Sequence, residues 1–320
     1  MTKSFLYAIS AICLIGLGTA AAQDTPASDH PSEPASWGRA SSGSSLESVL
    51  DQPGPIEVET VASATWQVPL SGMLNLKHPK AEAAGLYDGE QPISIYFHAL
   101  RHPTRGLFIV DTGVEQAFGS ERSAVQGVVA KLAKVDSIQV KEPLGAWLER
   151  QTQPLAGVLL THLHIDHIMG MPDVPPGTPI FTGPGEARAG AALNLFTRPV
   201  TDRLFSGHAA FAEWQFRPDP SGRFTGVVDV LGDGSLWALH VPGHTPGSTA
   251  YLARTPSGPV LLAGDSCHTS WGWDHGVEPG DFSRDVAQSA QSLGQLQELV
   301  KRHPRVDVRL GHQPRGQQIL

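Results

Sequence analysis

The sequence predicts an α/β fold in which two β-sheets are covered by helices. Nine short apolar runs of the kind that forms buried strands recur between residues 93 and 310, and most end in a polar or glycine-containing turn. Fewer segments have the apolar spacing of a helix. The composition, with 40% hydrophobic residues, 17% charged residues, 34 Gly and 26 Pro, is that of a globular domain with many turns. Together these observations favour two sheets with helices packed against them.

The first 22 residues have the features of a secretory signal peptide. Lys3 supplies the positive start, residues 5–17 form an apolar run, and three alanines end at Ala22. We therefore expect cleavage after Ala22 and a periplasmic or secreted protein without stable membrane insertion. Residues 23–55 include 16 Pro, Ser or Gly residues, which predicts a flexible tether. The globular domain is expected to span residues 56–320.

Strands and helices are assigned within this domain by their apolar spacing. The predicted strands cover residues 93–97, 107–110, 158–160, 179–181, 227–230, 236–239, 249–252, 260–263 and 306–310. Helices are predicted at 121–135, 186–196 and 284–302, with a short one near 46–50. The last long helix is the clearest, because its apolar side chains recur at helical spacing and Pro304 follows its end.

Candidate functional residues follow closely on the ends of five predicted strands. They are Asp111, the turn 161–167, His244, Asp265 and His312. Loops that a rigid scaffold holds at strand ends are common positions for binding and catalytic side chains. We therefore expect these residues to lie at one edge of the sheets.

The strongest chemical signal is the turn His162-x-His164-x-Asp166-His167. In extended backbone His162 and His164 point the same way. Asp166 and His167 come after the turn and can face a second ion. Imidazole and carboxylate ligands suit zinc, and also iron, manganese or cobalt. The alternative, a histidine-rich surface loop, is disfavoured because the turn directly follows a buried apolar strand.

This pattern resembles the signature of the metallo-β-lactamase superfamily. Three later positions match the remaining metal ligands of that family: His244 in Pro-Gly-His-Thr-Pro-Gly, Asp265 in Ala-Gly-Asp-Ser and His312 in Leu-Gly-His-Gln. The resemblance covers residues 90–315 and implies an αββα sandwich, two mixed sheets flanked by helices, with the metals at one edge.

The resemblance also implies a dinuclear site. His162, His164 and His244 would bind one divalent ion, Asp166, His167 and His312 would bind the other, and Asp265 would bridge them. Zinc is the expected metal, with iron, manganese and cobalt left open. Asp111 would orient one metal-bound histidine, as a similar aspartate does in the family.

The implied activity is hydrolysis of a lactone or ester. A hydroxide between the two ions would attack the carbonyl, and Asp166 would pass a proton to the leaving group. The subgroup most similar is the N-acyl-homoserine lactone lactonases, in which a bridging Asp, a helix and a final Gly-His occur in the same order. Those enzymes carry a substrate-holding Tyr three residues past the bridging Asp. Here that position is His268, whose imidazole can still donate a hydrogen bond, which leaves a different substrate open.

Other functions stay open. Class B3 β-lactamases resemble residues 242–249 but lack the bridging Asp, and organophosphate hydrolases share the metal set. A binding module without catalysis would be expected to lack ligands, whereas all seven are present. A lactone, β-lactam, thioester or phosphotriester substrate, the native metal and the oligomeric state, including a homodimer, are therefore undecided.

Charge and aromatic content limit the partners. With 23 basic and 31 acidic residues the net charge is −8, which disfavours nucleic acid and anionic lipid and leaves a small molecule as the expected partner. Phe196 and Phe205 belong to an apolar region that we expect to line an acyl-chain pocket, unless it only packs on the sheet. Trp271 and Trp273 follow Asp265 and are candidates for a substrate wall.

Overall fold

The computed structural model describes residues 25–127, 130, 131, 134–191 and 194–319, and it confirms two mixed sheets flanked by helices. Its strands are β1 (Ser32–Pro34), β2 (Arg39–Ser41), β3 (Glu57–Pro69), β4 (Glu90–His102), β5 (Gly106–Val110), β6 (Gln139–Val140), β7 (Leu155–Leu159), β8 (Ile180–Thr182), β9 (Phe211–Glu213), β10 (Gly226–Asp229), β11 (Leu236–His240), β12 (Thr249–Thr255), β13 (Gly258–Leu262) and β14 (Asp307–Arg309). Its α-helices are α1 (Gly43–Leu50), α2 (Leu70–Met73), α3 (Pro79–Ala83), α4 (Leu144–Leu148), α5 (Ile165–Ile168), α6 (Asn194–Leu204), α7 (Ser270–His275) and α8 (Val286–Arg302). No helix of this described part is both long and apolar enough to cross a bilayer.

The two sheets differ in how their strands run. Over the described residues the first sheet has the order β1-β9-β8-β7-β5-β4-β3-β6, and the second has the order β14-β13-β12-β11-β10-β2. Strands β5, β7, β8 and β9 are parallel neighbours. Strands β10 to β13 are antiparallel, and β14 joins β13 in parallel. All nine predicted strands are present, with ends shifted by a few residues.

The core lies in three layers because side chains of a strand alternate between its two faces. In β5, Phe108 and Val110 face the second sheet, whereas Ile109 faces the helices that cover the first. In β13, Leu262 lies between the sheets and Leu261 packs under α8. These strands are therefore buried on both faces, which explains why they read as continuous apolar runs.

Helix α8 confirms the clearest helical prediction. It begins after Asp285, whose side chain accepts a hydrogen bond from Gln288 N at 2.9 Å. Its residues Leu293, Leu296 and Leu299 are buried against the second sheet. The helix start therefore lies at a fixed position beside the turn that carries His244, to which Arg284 N donates a hydrogen bond at 3.0 Å.

Two other predicted helices are wrong in part. Residues 121–127 form turns, and within 121–135 α-helical backbone is described only at 130 and 131, with a short 3₁₀ helix starting at Val135. The carboxylate of Glu115 accepts hydrogen bonds from Ser123 Oγ and Ala124 N, both at 2.7 Å, and this holds the backbone in a turn.

The helix predicted at 186–196 is displaced along the chain to α6. Residues 184–188 form turns instead, because the buried carboxylate of Glu186 accepts backbone hydrogen bonds from Leu163 and Gly247 on neighbouring loops. Side-chain bonds of this kind compete with a helix, and apolar spacing alone does not reveal them.

The structure contradicts the flexible tether expected at 23–55. Strand β1 pairs with β9 at the edge of the first sheet, and β2 pairs with β10 at the edge of the second. Helix α1 buries Leu46 and Leu50 in the core of the second sheet. Three-residue strands are stabilised by backbone pairing with an existing sheet edge, which composition does not reveal. The predicted signal peptide lies outside the described residues.

Strand β3, the 13-residue strand Glu57–Pro69, was not predicted from the sequence. The strand pairs with β4 along its length, and its register shifts between Ala62 and Ala64. This irregularity and several polar, partly exposed side chains interrupt the alternation by which a strand is recognised.

Candidate metal centre

Six histidines and two aspartates meet where strands β7, β11, β13 and β14 end, and we call these residues the His/Asp cluster. Its members are His162, His164, Asp166, His167, His244, Asp265, His268 and His312. Potential ligand atoms lie within 4.8 Å of one another in three groups: His162, His164, His244 and Asp265; Asp166, His167 and His312; and Asp265, His268 and His312. The structure therefore brings all seven predicted ligands together, with His268 beside them.

Asp265 lies at the centre of the cluster. Its Oδ2 is 3.6 Å from His162 Nε2, 3.3 Å from His167 Nε2 and 3.3 Å from His244 Nε2. It is also 3.4 Å from His312 Nε2. Burial alone would raise the pKa of this carboxyl, but the surrounding imidazoles, His167 foremost, hold it well below its usual range. Asp265 is therefore an ionised acceptor between the two groups of histidines.

Two glycines allow Asp265 to approach its neighbours. Gly264 begins the short turn after β13 with φ = +51°, a conformation that favours glycine. A Cβ at Gly311, which precedes His312, would overlap Asp265 Oδ1. The Gly-Asp and Gly-His pairs of the sequence therefore have a steric reason in addition to any ligand role.

The first group consists of neutral imidazoles, of which His162 and His244 are buried and His164 is partly buried. Burial holds the pKa of His162 and His244 well below the usual value and also lowers that of His164. His164 Nδ1 and His244 Nε2 lie 2.8 Å apart, so both nitrogens point to one place. Neutral imidazole is the form that binds a metal ion, and this group is therefore ready to do so.

The electrostatics of the second group are determined by the carboxylates around its two histidines. His312 Nε2 is 3.3 Å and His167 Nε2 is 3.6 Å from Asp166 Oδ2. Burial alone would lower the pKa of His167, but Asp265, Asp111 and Asp166 raise it well above the usual value. The pKa of His312 is raised against the effect of burial, chiefly by Asp265. The field that favours a proton on these nitrogens equally favours a metal cation between them.

Outer hydrogen bonds orient the rings. The Nδ1 atoms of four cluster histidines lie near hydrogen-bond partners outside the cluster: His162 at 3.1 Å from Thr161 Oγ1, His167 at 2.8 Å from Asp111 Oδ2, His244 at 3.2 Å from Ser283 Oγ, and His312 at 3.0 Å from the Ser94 carbonyl. In each ring the Nε2 atom is left to face the centre. Metal-binding histidines are commonly held by such contacts.

Asp111 contacts His167 as the resemblance implied. Its Oδ1 accepts a hydrogen bond from Thr161 N at 2.8 Å, while its Oδ2 faces His167 Nδ1. Its backbone has φ = +57°, an unusual conformation for a residue other than glycine. The left-handed turn directs the buried carboxylate back toward β7, where it supports the histidine turn.

Glu186 is a second supporting carboxylate, and its role was not predicted from the sequence. It is almost fully buried and accepts hydrogen bonds from Leu163 N at 3.1 Å and Gly247 N at 2.9 Å. Leu163 lies between His162 and His164, and Gly247 belongs to the turn of His244. Burial raises the pKa of Glu186. Nothing in its sequence neighbourhood signals this role, because both partners are distant along the chain.

The aromatic residues proposed for substrate contact divide into two kinds. Phe205 is completely buried in the core of the first sheet, so it does not line an open pocket. Trp273 is buried in the core of the second sheet, and Trp271 stacks on His275 with 4.1 Å between ring centroids. Phe196, by contrast, is 39% exposed. Phe196 and the partly buried Trp271 therefore keep the predicted opportunity to touch substrate, whereas Phe205 and Trp273 serve packing.

The donor set fits two divalent ions. Four buried cluster atoms make no hydrogen bond within the described part of the chain: His162 Nε2, His167 Nε2, His268 Nε2 and Asp265 Oδ1. A buried polar atom without a hydrogen-bond partner destabilises the fold by about 1–3 kcal/mol. Four such atoms at one place are therefore the arrangement expected of side chains that bind a metal ion. Imidazole nitrogens and carboxylate oxygens are typical zinc ligands.

The family follows from a sequence comparison. The family model described as the metallo-beta-lactamase superfamily matches residues 89–300. The chain therefore belongs to the metallo-β-lactamase superfamily, in agreement with the sheets and the His/Asp cluster.

Particular relatives are lactonases. The N-acyl homoserine lactonase AttM of Agrobacterium fabrum is 30% identical over 167 residues, which cover 49% of this chain and 57% of that protein. The chain thus matches little more than half the length of this relative. A crystal structure of a quorum-quenching N-acyl homoserine lactone lactonase superposes with a TM-score of 0.59 at 20% identity, covering 82% of this chain and 94% of the other. A crystal structure of a quorum-quenching N-acyl homoserine lactone hydrolase superposes with a TM-score of 0.58 at 19% identity, covering 85% of this chain and 100% of the other. At such identities these structures establish the shared fold.

Proposed function

We propose that this protein is a dinuclear metal-dependent hydrolase that opens N-acyl homoserine lactones or closely similar lactones. The observation that carries the proposal is the convergence of seven histidine and aspartate side chains into two adjacent groups that share Asp265. A site for one ion would not need the second group, in which His312 and Asp166 approach to 3.3 Å.

Two divalent ions, expected to be zinc, would polarise the substrate carbonyl and lower the pKa of water enough to supply hydroxide near neutral pH. The two carboxylates of the predicted ligand set contribute a charge of about −2, and its five histidines bind as neutral donors. Half of the charge of two dications is therefore left uncompensated. That positive charge is available to stabilise the oxyanion that forms when a lactone is attacked.

The chain itself supplies binding and proton transfer. His164 and Asp166 are the partly exposed members of the cluster, so the site opens toward solvent at this turn. We assign to Asp166 the role of accepting the proton that the attacking water loses and passing it to the ring oxygen of the lactone as the ester C–O bond breaks. Its position beside His312 fixes one oxygen and leaves the carboxylate accessible from the open side.

An apolar rim beside the cluster suits an acyl chain. Phe282 is 37% exposed and precedes Ser283, which contacts His244. Leu195 and Phe196 are 55% and 39% exposed at the start of α6. A hydrogen bond from Arg284 to the Gly190 carbonyl joins the two segments that carry these side chains. An acyl group attached to the lactone would have apolar surface within reach here.

A parallel substrate assay tests the proposed function. The zinc-loaded protein is given an N-acyl homoserine lactone, a cephalosporin, a glutathione thioester and a phosphotriester, and kcat/KM is measured for each. We expect the lactone to exceed the others by at least about tenfold, which corresponds to about 1.4 kcal/mol in the transition state. A larger value for the cephalosporin or the phosphotriester would contradict the assignment. Asp265→Ala should abolish the dominant activity, because it removes the residue shared by both groups.

We also propose that the protein is exported by its first 22 residues. The arrangement of Lys3, the apolar run and the alanines that end at Ala22 supports this. Expression of the full chain followed by cell fractionation and mass spectrometry should give a mature N-terminus at Gln23 outside the cytoplasm. An uncleaved cytoplasmic chain would contradict export and would leave the proposed chemistry untouched.

A further inference from the structure

We propose that His268 is an eighth metal ligand, in addition to the seven that the family resemblance implies. Of the five cluster imidazoles whose Nε2 atoms approach Asp265 Oδ2, His268 is the nearest, at 3.0 Å. Its ligand atom forms a compact group with those of Asp265 and His312. The inference rests on the proposed dinuclear site and specifies how one of its ions is held.

Hydrogen bonding determines which nitrogen of His268 is free. His268 Nδ1 lies 2.8 Å from the Met73 carbonyl oxygen. A carbonyl oxygen only accepts hydrogen bonds, so Nδ1 must carry the hydrogen. In the neutral tautomer that this contact selects, the Nε2 atom has a lone pair and no hydrogen. It cannot donate the hydrogen bond to substrate that comparison with the lactonase tyrosine suggested, but it can bind a cation.

His312, one of the seven predicted ligands, has the same arrangement. Its Nδ1 lies 3.0 Å from the Ser94 carbonyl, and its Nε2 faces Asp265 Oδ2 at 3.4 Å. The rings of His268 and His312 are nearly parallel, with an interplanar angle of 25° and 5.4 Å between centroids. Two histidines with the same outer contact and the same orientation toward one carboxylate are expected to present the same kind of donor.

The surroundings hold His268 in this orientation. The side chain is 1% exposed, and its Nε2 is among the buried cluster atoms without a hydrogen bond in the described part of the chain. The Met73 carbonyl is itself fixed, because helix α2 receives a hydrogen bond from Asp281 N to Ser71 O at 2.8 Å. The backbone at His268 also accepts one from His312 N at 3.4 Å. The lone pair is therefore directed at the centre before any ion binds.

One ion would consequently have more protein ligands than the other. The group of His162, His164 and His244 has Asp265 as its carboxylate, whereas the group of Asp166, His167 and His312 would have both Asp265 and His268. Removing an imidazole ligand should weaken the binding of this second ion by more than the 10–100-fold loss of metal affinity that is typical when an outer contact is removed. The affinity of the first ion should change little.

The direct test counts metal-bound imidazoles in cobalt-loaded protein. Paramagnetic Co²⁺ strongly shifts the NMR signal of the N–H on each ligating ring, and ¹⁵N-labelled histidine identifies these signals. We expect six shifted ring N–H signals in the unmodified protein and five in His268→Gln. In a competition with a chromophoric chelator, His268→Gln should also lose affinity for one ion only. Five signals in the unmodified protein would overturn the inference even if the variant did not fold.

His240→Gln is the matched control. His240 is a partly buried histidine of the same region whose Nε2 lies 2.9 Å from the Pro246 carbonyl, and it belongs to none of the three groups. It should keep all six signals. Two bound ions with five signals would refute the ligand role of His268 and preserve the proposed function. Failure of the protein to bind cobalt or zinc at all would overturn both.

Discussion

Replacing Asp111 by asparagine should weaken the binding of one metal ion selectively. The carboxylate accepts a hydrogen bond from Thr161 N at 2.8 Å through one oxygen and faces His167 Nδ1 at 2.8 Å through the other. An asparagine has one acceptor oxygen and one NH₂ group in the same positions. Whichever way the amide turns, one buried N–H of the neighbours meets another N–H in place of an acceptor.

The expected loss follows from the type of contact. A hydrogen bond to a charged group contributes about 1.5–3 kcal/mol, and its buried donor is left unpaired in the variant. A loss of about 2 kcal/mol corresponds to a roughly thirtyfold larger dissociation constant, since each tenfold change in the constant is about 1.4 kcal/mol. The effect should fall on the ion held by Asp166, His167 and His312, because His167 is the ring that Asp111 orients.

Stepwise zinc titration against a chromophoric chelator measures both affinities. We expect Asp111→Asn to weaken one step roughly thirtyfold and to leave the other within about threefold. Asp173→Asn is the control, because this carboxylate also accepts two backbone hydrogen bonds, from Gln116 and Gly145, but belongs to none of the ligand groups. Equal affinities in Asp111→Asn and the unmodified protein would show that the contact does not orient a ligand.

Three further changes test other parts of the structure. Glu186→Gln should weaken the binding of the ion at His162, His164 and His244 about tenfold in the same titration. The reason is that one of the two backbone N–H groups loses its acceptor. Leu46→Ala should lower the free energy of unfolding by about 2–5 kcal/mol in urea, since the side chain is fully buried in the N-terminal segment. Cys267 should fail to react with Ellman's reagent at pH 8 until the protein unfolds, because burial raises its pKa from 9.0 to about 12.

Controls separate these effects from general damage. Leu195→Ala makes the same substitution at a side chain that is 55% exposed and should change stability by less than about 0.5 kcal/mol. Equal stability of Leu46→Ala and Leu195→Ala would mean that residues 25–55 contribute no packing. Asp173→Asn again serves for Glu186→Gln, and equal weakening of both zinc steps would argue against a local role. The thiolate of Cys267 is the reactive form, and a raised pKa leaves little of it at pH 8. Rapid labelling of the folded protein at pH 8 would therefore contradict the burial of this thiol.

The strands and the ligand positions could be predicted because both depend on short-range pattern. Strands buried on both faces appear as apolar runs, and a polar residue directly after such a run lies at the sheet edge. Asp265 and His312 come from distant parts of the sequence, yet each follows its own strand. The parallel pairing of β13 with β14 then brings the two strand ends together.

The remaining features depend on contacts between distant residues. The orientation of His268 is set by the Met73 carbonyl, 195 positions away. No local sequence pattern indicates which ring nitrogen forms a hydrogen bond with that carbonyl. Glu186 reaches Gly247 across 61 positions, and this contact replaces the predicted start of a helix by a turn. The pairing of β1 and β2 with sheet edges likewise depends on the finished sheets. Composition therefore suggested a tether where the structure has strands.

The number of ions required for lactone hydrolysis tests the proposed function most directly. Metal-free protein is titrated with zinc while the opening of an N-acyl homoserine lactone is followed by acid release and bound zinc is measured by mass spectrometry. The convergence of two ligand groups on Asp265 predicts that activity reaches its maximum at two ions per chain and is absent without metal. Full activity in metal-free protein, or protein that binds no zinc, would contradict it.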